Sequence, residues 1–330
     1  MTSAARPHAP ERDAPVVLAY RALGLGDLLT GLPALRALSD AFPGHRRVLA
    51  TPAWLAPLAL HSGSVDTVVD CAPLQLLPES LASPEVAANL HGRGPESHRV
   101  VLAPRPRRTI AFACADIEAT RRGPRWRADE HEVVRWCRLL QESGIPADPS
   151  RLDLAVPDLR VDPALRDATI VHPGAGAPAR RWPVGRWAEV ARREAARGHQ
   201  VVITGSAPER DLAGEVARRA GLGAGAVVAG ADVMHLAAVV ARAGRIVCSD
   251  TGVAHLATAL GTPSVVLFGP TPPRWWGPPE DRPQHVVLWS GRTGDPHGSA
   301  PDPGLLAIGV EEVGAALDAL VSRMPVGARG

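Results

Sequence analysis

Residues 249–271 read SDTGVAHLATALGTPSVVLFGPT. Ser249, Asp250, Thr251, Gly252 and His255 stand there between two apolar, β-branched runs, RIVC (245–248) and SVVLF (264–268). Both runs have the pattern of strands covered on both faces. The intervening VAHLATAL has helical character, and Gly261 is placed to end that helix. The polar cluster therefore falls where a strand ends and a helix begins. In open α/β sheets, strand carboxyl ends and helix amino ends converge at such points, and anionic ligands are held there.

Three more segments repeat this layout. ALGLGDLLTGLPAL (22–35) follows the first strand-like run, and Gly24 and Gly26 let the backbone approach a phosphate at a helix amino end. A dinucleotide fingerprint needs a third glycine where Leu29 stands, and the run RRVLAT ends without an acidic residue for a ribose, so a nicotinamide enzyme is not expected. Asp27 has two readings, a helix N-cap or a catalytic carboxylate. In HPGAGAPARRWPVGRWAEV (172–190), Arg180 and Arg181 either meet phosphate oxygens with a matching guanidinium fork or are simply solvated. Trp182 and Trp187 read as packing residues. In VVITGSAPERDLAGEV (201–216), Gly205 opens a small loop, and Glu209 either meets ribose hydroxyls or favours the helix dipole. No His/Asp/Glu spacing suggests a metal cluster, and there is no Asp-x-Asp pair, G-x-S-x-G or P-loop. A departing diphosphate would then depend on arginine and helix amino ends.

These segments need strands to carry them, and strand-like runs recur along the chain: PVVLAY, RRVLAT, TVVD, RVVLA (99–103) and TIAFA, then TIVHPG, QVVITG, AVVAG and the two above. Helical patterns such as DLLTGLPALRALSDAF and WAEVARREAARG intervene, which implies parallel sheets. A Pro/Asp-rich break at 144–168 suits an interdomain connection. The expectation is an α/β chain with two Rossmann-like domains facing each other across a cleft: a loose tail over 1–14, domains over 15–157 and 158–330, a structureless loop over 291–304 and a closing amphipathic helix. At 330 residues each domain can build its own core.

Apolar content of 45% with 21% charged residues is ordinary for a globular protein, and a formal net charge of +2 argues against a nucleic-acid partner. All 36 basic residues are arginine, as a GC-rich coding sequence would give. Eight of them (Arg99, Arg105, Arg107, Arg108, Arg121, Arg122, Arg125 and Arg127) crowd into one stretch, facing an anionic acceptor, an acidic membrane surface or solvent. The four cysteines form no metal or redox spacing, and the tail lacks the apolar core of a signal peptide. No apolar run approaches the ~20 residues of a membrane span. A cytoplasmic protein, at most peripheral at the inner face of the plasma membrane, is expected.

Taken together, GLGDLLTGLPAL, HPGAGAPARRWP, TGSAPERDLA and SDTGVAHLATALGTPSVVLFGPT resemble the heptosyltransferase family, from about Val16 to Val321. These are ADP-heptose-dependent glycosyltransferases of lipopolysaccharide core assembly (glycosyltransferase family 9). The resemblance implies the GT-B fold, with a last helix that can cross back onto the first domain. It implies an inverting, metal-independent transfer in which the nucleotide sugar is co-substrate and no cofactor is needed. Position by position, it implies Asp27 as general base, Arg180 as the basic residue (usually Lys) at the donor phosphates and Glu209 at the ribose. Asp250, Thr251, Gly252 and His255 fall on the diphosphate- and sugar-binding run. The Arg at 180 and the Pro/Gly-rich loop 291–304 depart from the family pattern and leave the acceptor open: a lipopolysaccharide or other envelope glycan, a lipid-linked glycan or a secondary metabolite. A sugar-nucleotide epimerase of the same fold is the rival enzyme, and a non-catalytic sugar-nucleotide-binding protein is the rival outside catalysis.

Overall fold

A computed structural model describes residues 14–323; residues 1–13 of the expected tail lie outside them. The chain divides into two units between Leu152 and Asp153, inside the Pro/Asp-rich break and five residues before the boundary expected from sequence.

In the first unit, β1 (Val16–Tyr20), β2 (Arg46–Thr51), β3 (Thr67–Asp70), β4 (Val86–Asn89) and β5 (Arg108–Ile110) form a parallel sheet ordered β3-β2-β1-β4-β5. In the second, β6 (Thr169–His172), β7 (Val201–Gly205), β8 (Val227–Ala229), β9 (Arg245–Ser249), β10 (Ser264–Phe268) and β11 (His285–Trp289) form another, ordered β11-β10-β9-β6-β7-β8. Every residue of β9 and β10 is buried, as continuous apolar runs require. Each sheet starts in its middle and later crosses to the other side. The loops after β1 and β4, and those after β6 and β9, therefore diverge and leave a crevice at the strand ends.

Two strand assignments change. RVVLA is not a strand: Glu96–Leu102 is a helix with Val100 and Val101 turned into the core. The fourth strand is instead VAAN (86–89), and HVVLW (285–289) adds an eleventh; an apolar run this short has no period that separates strand from helix. The long helical pattern 27–42 is two helices, Leu25–Thr30 and Leu32–Ala41, because Pro33 has no N–H to continue the first. Helix Gly252–Leu260 ends as expected at Gly261, in the left-handed conformation with φ of 71°.

The closing helix expected from sequence is Val310–Arg323, and it packs within the second unit. Val313, Leu317 and Leu320 lie in the core of the second unit, against helix Val184–Ala196, β10 and β11. The 291–304 segment lacks regular structure up to Pro303 but is pinned: Ala179 donates to the Gly298 carbonyl at 3.1 Å, and Asp302 donates its amide to the Ala179 carbonyl at 3.1 Å. Among the described residues no helix is long and apolar enough to cross a membrane.

Candidate functional site

In the first unit, the candidate carboxylate sits just after β1. Asp27 is the third residue of helix Leu25–Thr30; Gly24, not Asp27, is the N-cap. One carboxylate oxygen accepts the Gly24 amide at 3.2 Å, and the other lies 3.4 Å from the Arg21 guanidinium. So the capping role expected of Asp27 is real, but it is exercised backwards from inside the first turn. Gly26 takes no visible part beyond accepting the Thr30 hydroxyl at 3.0 Å.

The centre of this half-site is Arg21, whose side chain is fully buried. It donates to the Asp27 and Leu90 carbonyls, to Thr30 Oγ1 at 3.1 Å and to Glu132 Oε1 at 3.1 Å, and it lies 4.9 Å from the Trp136 ring. Arg21 thus ties the loop after β1 to the loop after β4, across the crevice of the sheet. Burial pushes the Asp27 carboxyl above its ordinary value, Arg21 pulls it back, and the Glu132 charge raises it again. The result is a partly exposed carboxylate that is a better base than a free aspartate. Beside it, burial and the Arg21 charge push His91 down to about 4, so its imidazole is neutral. His91 stacks on Tyr20 with ring centroids 4.6 Å apart.

In the second unit, Arg180, Arg181, Glu209 and Asp250 come together at the crevice between β6 and β9. Arg180 closes the turn Pro178–Arg180 and donates to the Asp250 carbonyl at 3.3 Å, with the Asp250 carboxylate 3.9 Å away. Its Nε is buried with no hydrogen-bond partner among the described residues, as is the Ser249 hydroxyl. Buried polar groups of this kind point to a bound ligand or water. Burial pushes Asp250 up to about 6, against the lowering effects of Arg180 and a Thr271 hydrogen bond.

Thr251 is the N-cap of helix Gly252–Leu260, and its hydroxyl is not spent on capping. Gly252 opens the first turn, whose amides are directed at the crevice. His255 lies in that turn, its ring 5.8 Å from Trp276. Arg181 donates to the Ala175 carbonyl at 3.1 Å, which aims it back at the loop after β6.

Glu209 folds onto that same loop. A Cβ on Gly174 would lie 2.3 Å from its carboxylate, so any larger residue there would push the Glu209 side chain away from the loop. Gly205 gives similar clearance, a Cβ there standing 3.3 Å from the Glu209 Cβ. Burial opposes ionisation of Glu209. The Ser206 hydroxyl at 2.7 Å and amide at 2.9 Å, with nearby His172 and Arg181, nonetheless bring it below the ordinary carboxylate range. It is an ionised acceptor at neutral pH, suited to hydroxyl groups such as those of a sugar. Trp182 and Trp187 are buried and pack edge to face at 4.9 Å.

The sequence reading missed Arg21, Glu132, His91 and Gly174. Arg21 carries a signal, a charge directly after an apolar strand. Glu132, 111 residues from its partner, carries none. Half of the arginine-rich stretch is partnered: Arg107 pairs with Glu85 at 3.5 Å, Arg121 with Glu118 at 2.6 Å and Arg127 with Glu142 at 3.2 Å, and Arg108 donates to the Ser143 carbonyl. Arg108, Arg121 and Arg122 line a cavity of about 510 Å³ near the end of β5. Among the described residues no three His, Cys, Asp or Glu side chains cluster to hold a metal ion.

A family model described as glycosyltransferase family 9 (heptosyltransferase) matches residues 117–297. Lipopolysaccharide heptosyltransferase 1 of Pseudomonas aeruginosa is 43% identical over 99 residues, 30% of this chain and 27% of that protein. The chain's matches span from 27% to 56% of the length of the curated relatives, whose segments align only in part. Among solved structures, a family 9 glycosyl transferase of Veillonella parvula superposes with a TM-score of 0.76 at 19% identity, over 96% of this chain and 100% of that one. The E. coli heptosyltransferase WaaC with ADP superposes with a TM-score of 0.71 at 19% identity, over 92% and 99%. Those likenesses show the fold, which is GT-B.

Proposed function

Because the chain belongs to glycosyltransferase family 9 (heptosyltransferase), we propose that it transfers a sugar from a nucleoside diphosphate donor, ADP-heptose first, to an acceptor hydroxyl with inversion. The observation that carries this reading is the crevice between β6 and β9. There Arg180, with an unpartnered buried Nε, meets Asp250 at the open amino end of helix Gly252–Leu260, and Glu209 is folded against Gly174. Cationic and amide groups there match a diphosphate, and an ionised carboxylate beside them matches ribose hydroxyls. WaaC, solved with ADP, supports adenine as the base to try first.

In this reading Asp27 accepts the proton of the acceptor hydroxyl as its oxygen attacks the anomeric carbon, and the carbon–oxygen bond to the diphosphate breaks on the opposite face. One displacement with one base inverts the configuration. Arg180, Arg181 and the amides of Gly252 and its neighbours carry the charge that builds on the leaving diphosphate. No metal ion is assigned a step. Arg21 and Glu132 position the base. The acceptor belongs to the glycan, lipid-linked or small-molecule alcohols, and the enzyme would work where cytoplasmic sugar nucleotides are made.

Calorimetric titration against ADP-, UDP- and GDP-sugars tests the reading. The expected result is saturable binding of an ADP-sugar, weakened ten- to hundredfold in Arg180→Ala, the effect of ~1.5–3 kcal/mol for one charged hydrogen-bond partner. No binding of any member by the folded protein would overturn it.

A further inference from the structure

The first sheet ends at β5, whose outer edge pairs with no strand among the described residues. The Arg108 amide donates to the Glu85 carbonyl at 3.0 Å, so in a parallel pair the amide and carbonyl of Thr109 turn to the open edge. The loop 118–124 runs along that edge and closes on it just past the strand. There the Ala113 amide donates to the Pro124 carbonyl at 2.8 Å, and a Cβ on Gly123 would stand 2.3 Å from the Ala111 carbonyl. Strand and loop enclose the cavity of about 510 Å³, a size that holds a small ligand.

The cavity is electropositive because its two carboxylates are already spent. Glu118 is paired with Arg121 at 2.6 Å, and Glu142 with Arg127 and Arg138 at 3.2 Å each. Neither is left to neutralise Arg108 on the strand wall or Arg122 on the loop wall. Arg108 uses one guanidinium nitrogen on the Ser143 carbonyl, and Arg122 has no hydrogen bond or ion pair among the described residues. Two guanidinium groups without a counter-charge on one cavity match a dianion, and their forked donors match phosphate oxygens. The Thr109 carbonyl, on the open edge between them, can accept a hydroxyl.

This cavity lies apart from the Asp27 half-site. Helix Glu132–Glu142 runs from one to the other: Glu132 at its start holds Arg21 at 3.1 Å, and Glu142 at its end lines the cavity. At ~1.5 Å per residue the two ends stand ~15 Å apart. We infer that the cavity is a second ligand site, which takes a small hydroxylated phosphomonoester such as a sugar phosphate. It is separate from the donor crevice and from the hydroxyl that Asp27 would deprotonate, and it does not depend on either assignment.

The test is calorimetric titration of the full chain at pH 7.5 with glucose 6-phosphate, glucose and sulfate. Glucose 6-phosphate should bind saturably and more tightly than sulfate, which has the charge but no hydroxyl, and glucose should not bind. Affinity should fall towards pH 5, as the phosphate takes up its second proton with a pKa of ~6 while arginine stays charged. Arg108→Gln with Arg122→Gln should weaken binding ~tenfold or more, the effect of lost charged partners, with melting temperature and ADP affinity unchanged. Arg122→Gln alone, at an exposed side chain that holds nothing in the fold, should weaken it several-fold. Arg180→Ala, which alters only the donor crevice, should leave it unchanged. No saturable binding, equal affinity for sulfate or glucose, binding that survives the arginine substitutions, or binding lost in Arg180→Ala would overturn the inference. So would Arg122-dependent binding to phosphatidylglycerol vesicles by a protein that ignores free glucose 6-phosphate.

Discussion

Asp27→Asn separates catalysis from capping. The Asn oxygen can still accept the Gly24 amide, the bond that Asp27 makes at 3.2 Å. Arg21 keeps Glu132, Thr30, the Leu90 carbonyl and the main-chain carbonyl of residue 27, so it is not left as an unpaired buried charge. Burial raises the Asp27 carboxyl, which means that its ionised form is disfavoured in the fold, and a neutral amide avoids that cost. The melting temperature should therefore move by no more than ~4 °C, on the order of 1 kcal/mol for a protein of this size class. Donor affinity should be unchanged. Turnover, read as ADP release from ADP-heptose with the best acceptor found or with water, should fall by ~10²–10⁴-fold, the usual worth of a positioned base. The pH profile gives a second readout. Wild-type turnover should fall as pH drops through the Asp27 pKa, at a higher pH than for a free aspartate, and the Asn variant should lack that limb. Near-normal turnover in a folded variant would refute the assignment.

Gly174→Ala should displace Glu209, because its Cβ would stand 2.3 Å from that carboxylate; ADP-sugar affinity measured by calorimetry should drop while thermal stability falls little. Asp250, pushed up to about 6, has a folded pKa above its unfolded value, so its contribution to stability is full below about pH 4 and is lost as pH rises through about 6. Asp250→Asn should therefore melt above wild type at pH 7.5, with the gap closing towards pH 4; a constant gap in pH-dependent melting curves would show that the charge is not what costs stability. Transfer activity should persist in excess EDTA, since the diphosphate's charge is assigned to Arg180, Arg181 and helix amides; loss restored by added metal would contradict that.

The second unit was the more legible. Its strands are continuous apolar runs, and each polar cluster follows its strand within a few residues, so Arg180, Glu209, Asp250 and Thr251 stand out in the sequence alone. The crevice brings those local signals together, and parallel topology forces the crevice. The first unit was harder. VAAN has little apolar bulk, and its four buried residues give no alternation to detect. RVVLA looks like a strand because Val100 and Val101 are adjacent, but Pro95 starts a helix just upstream and both valines fit one buried face. Glu132 acts through a contact that no local pattern encodes, and Gly174 matters only through how closely Glu209 approaches.

A crystal structure with ADP bound tests the central claim most directly. The diphosphate should lie against Arg180 and the amides of Gly252 and Val253, with the ribose within hydrogen-bond distance of Glu209. A nucleotide held elsewhere, with Arg180 Nε and Ser249 still unpartnered, would contradict it.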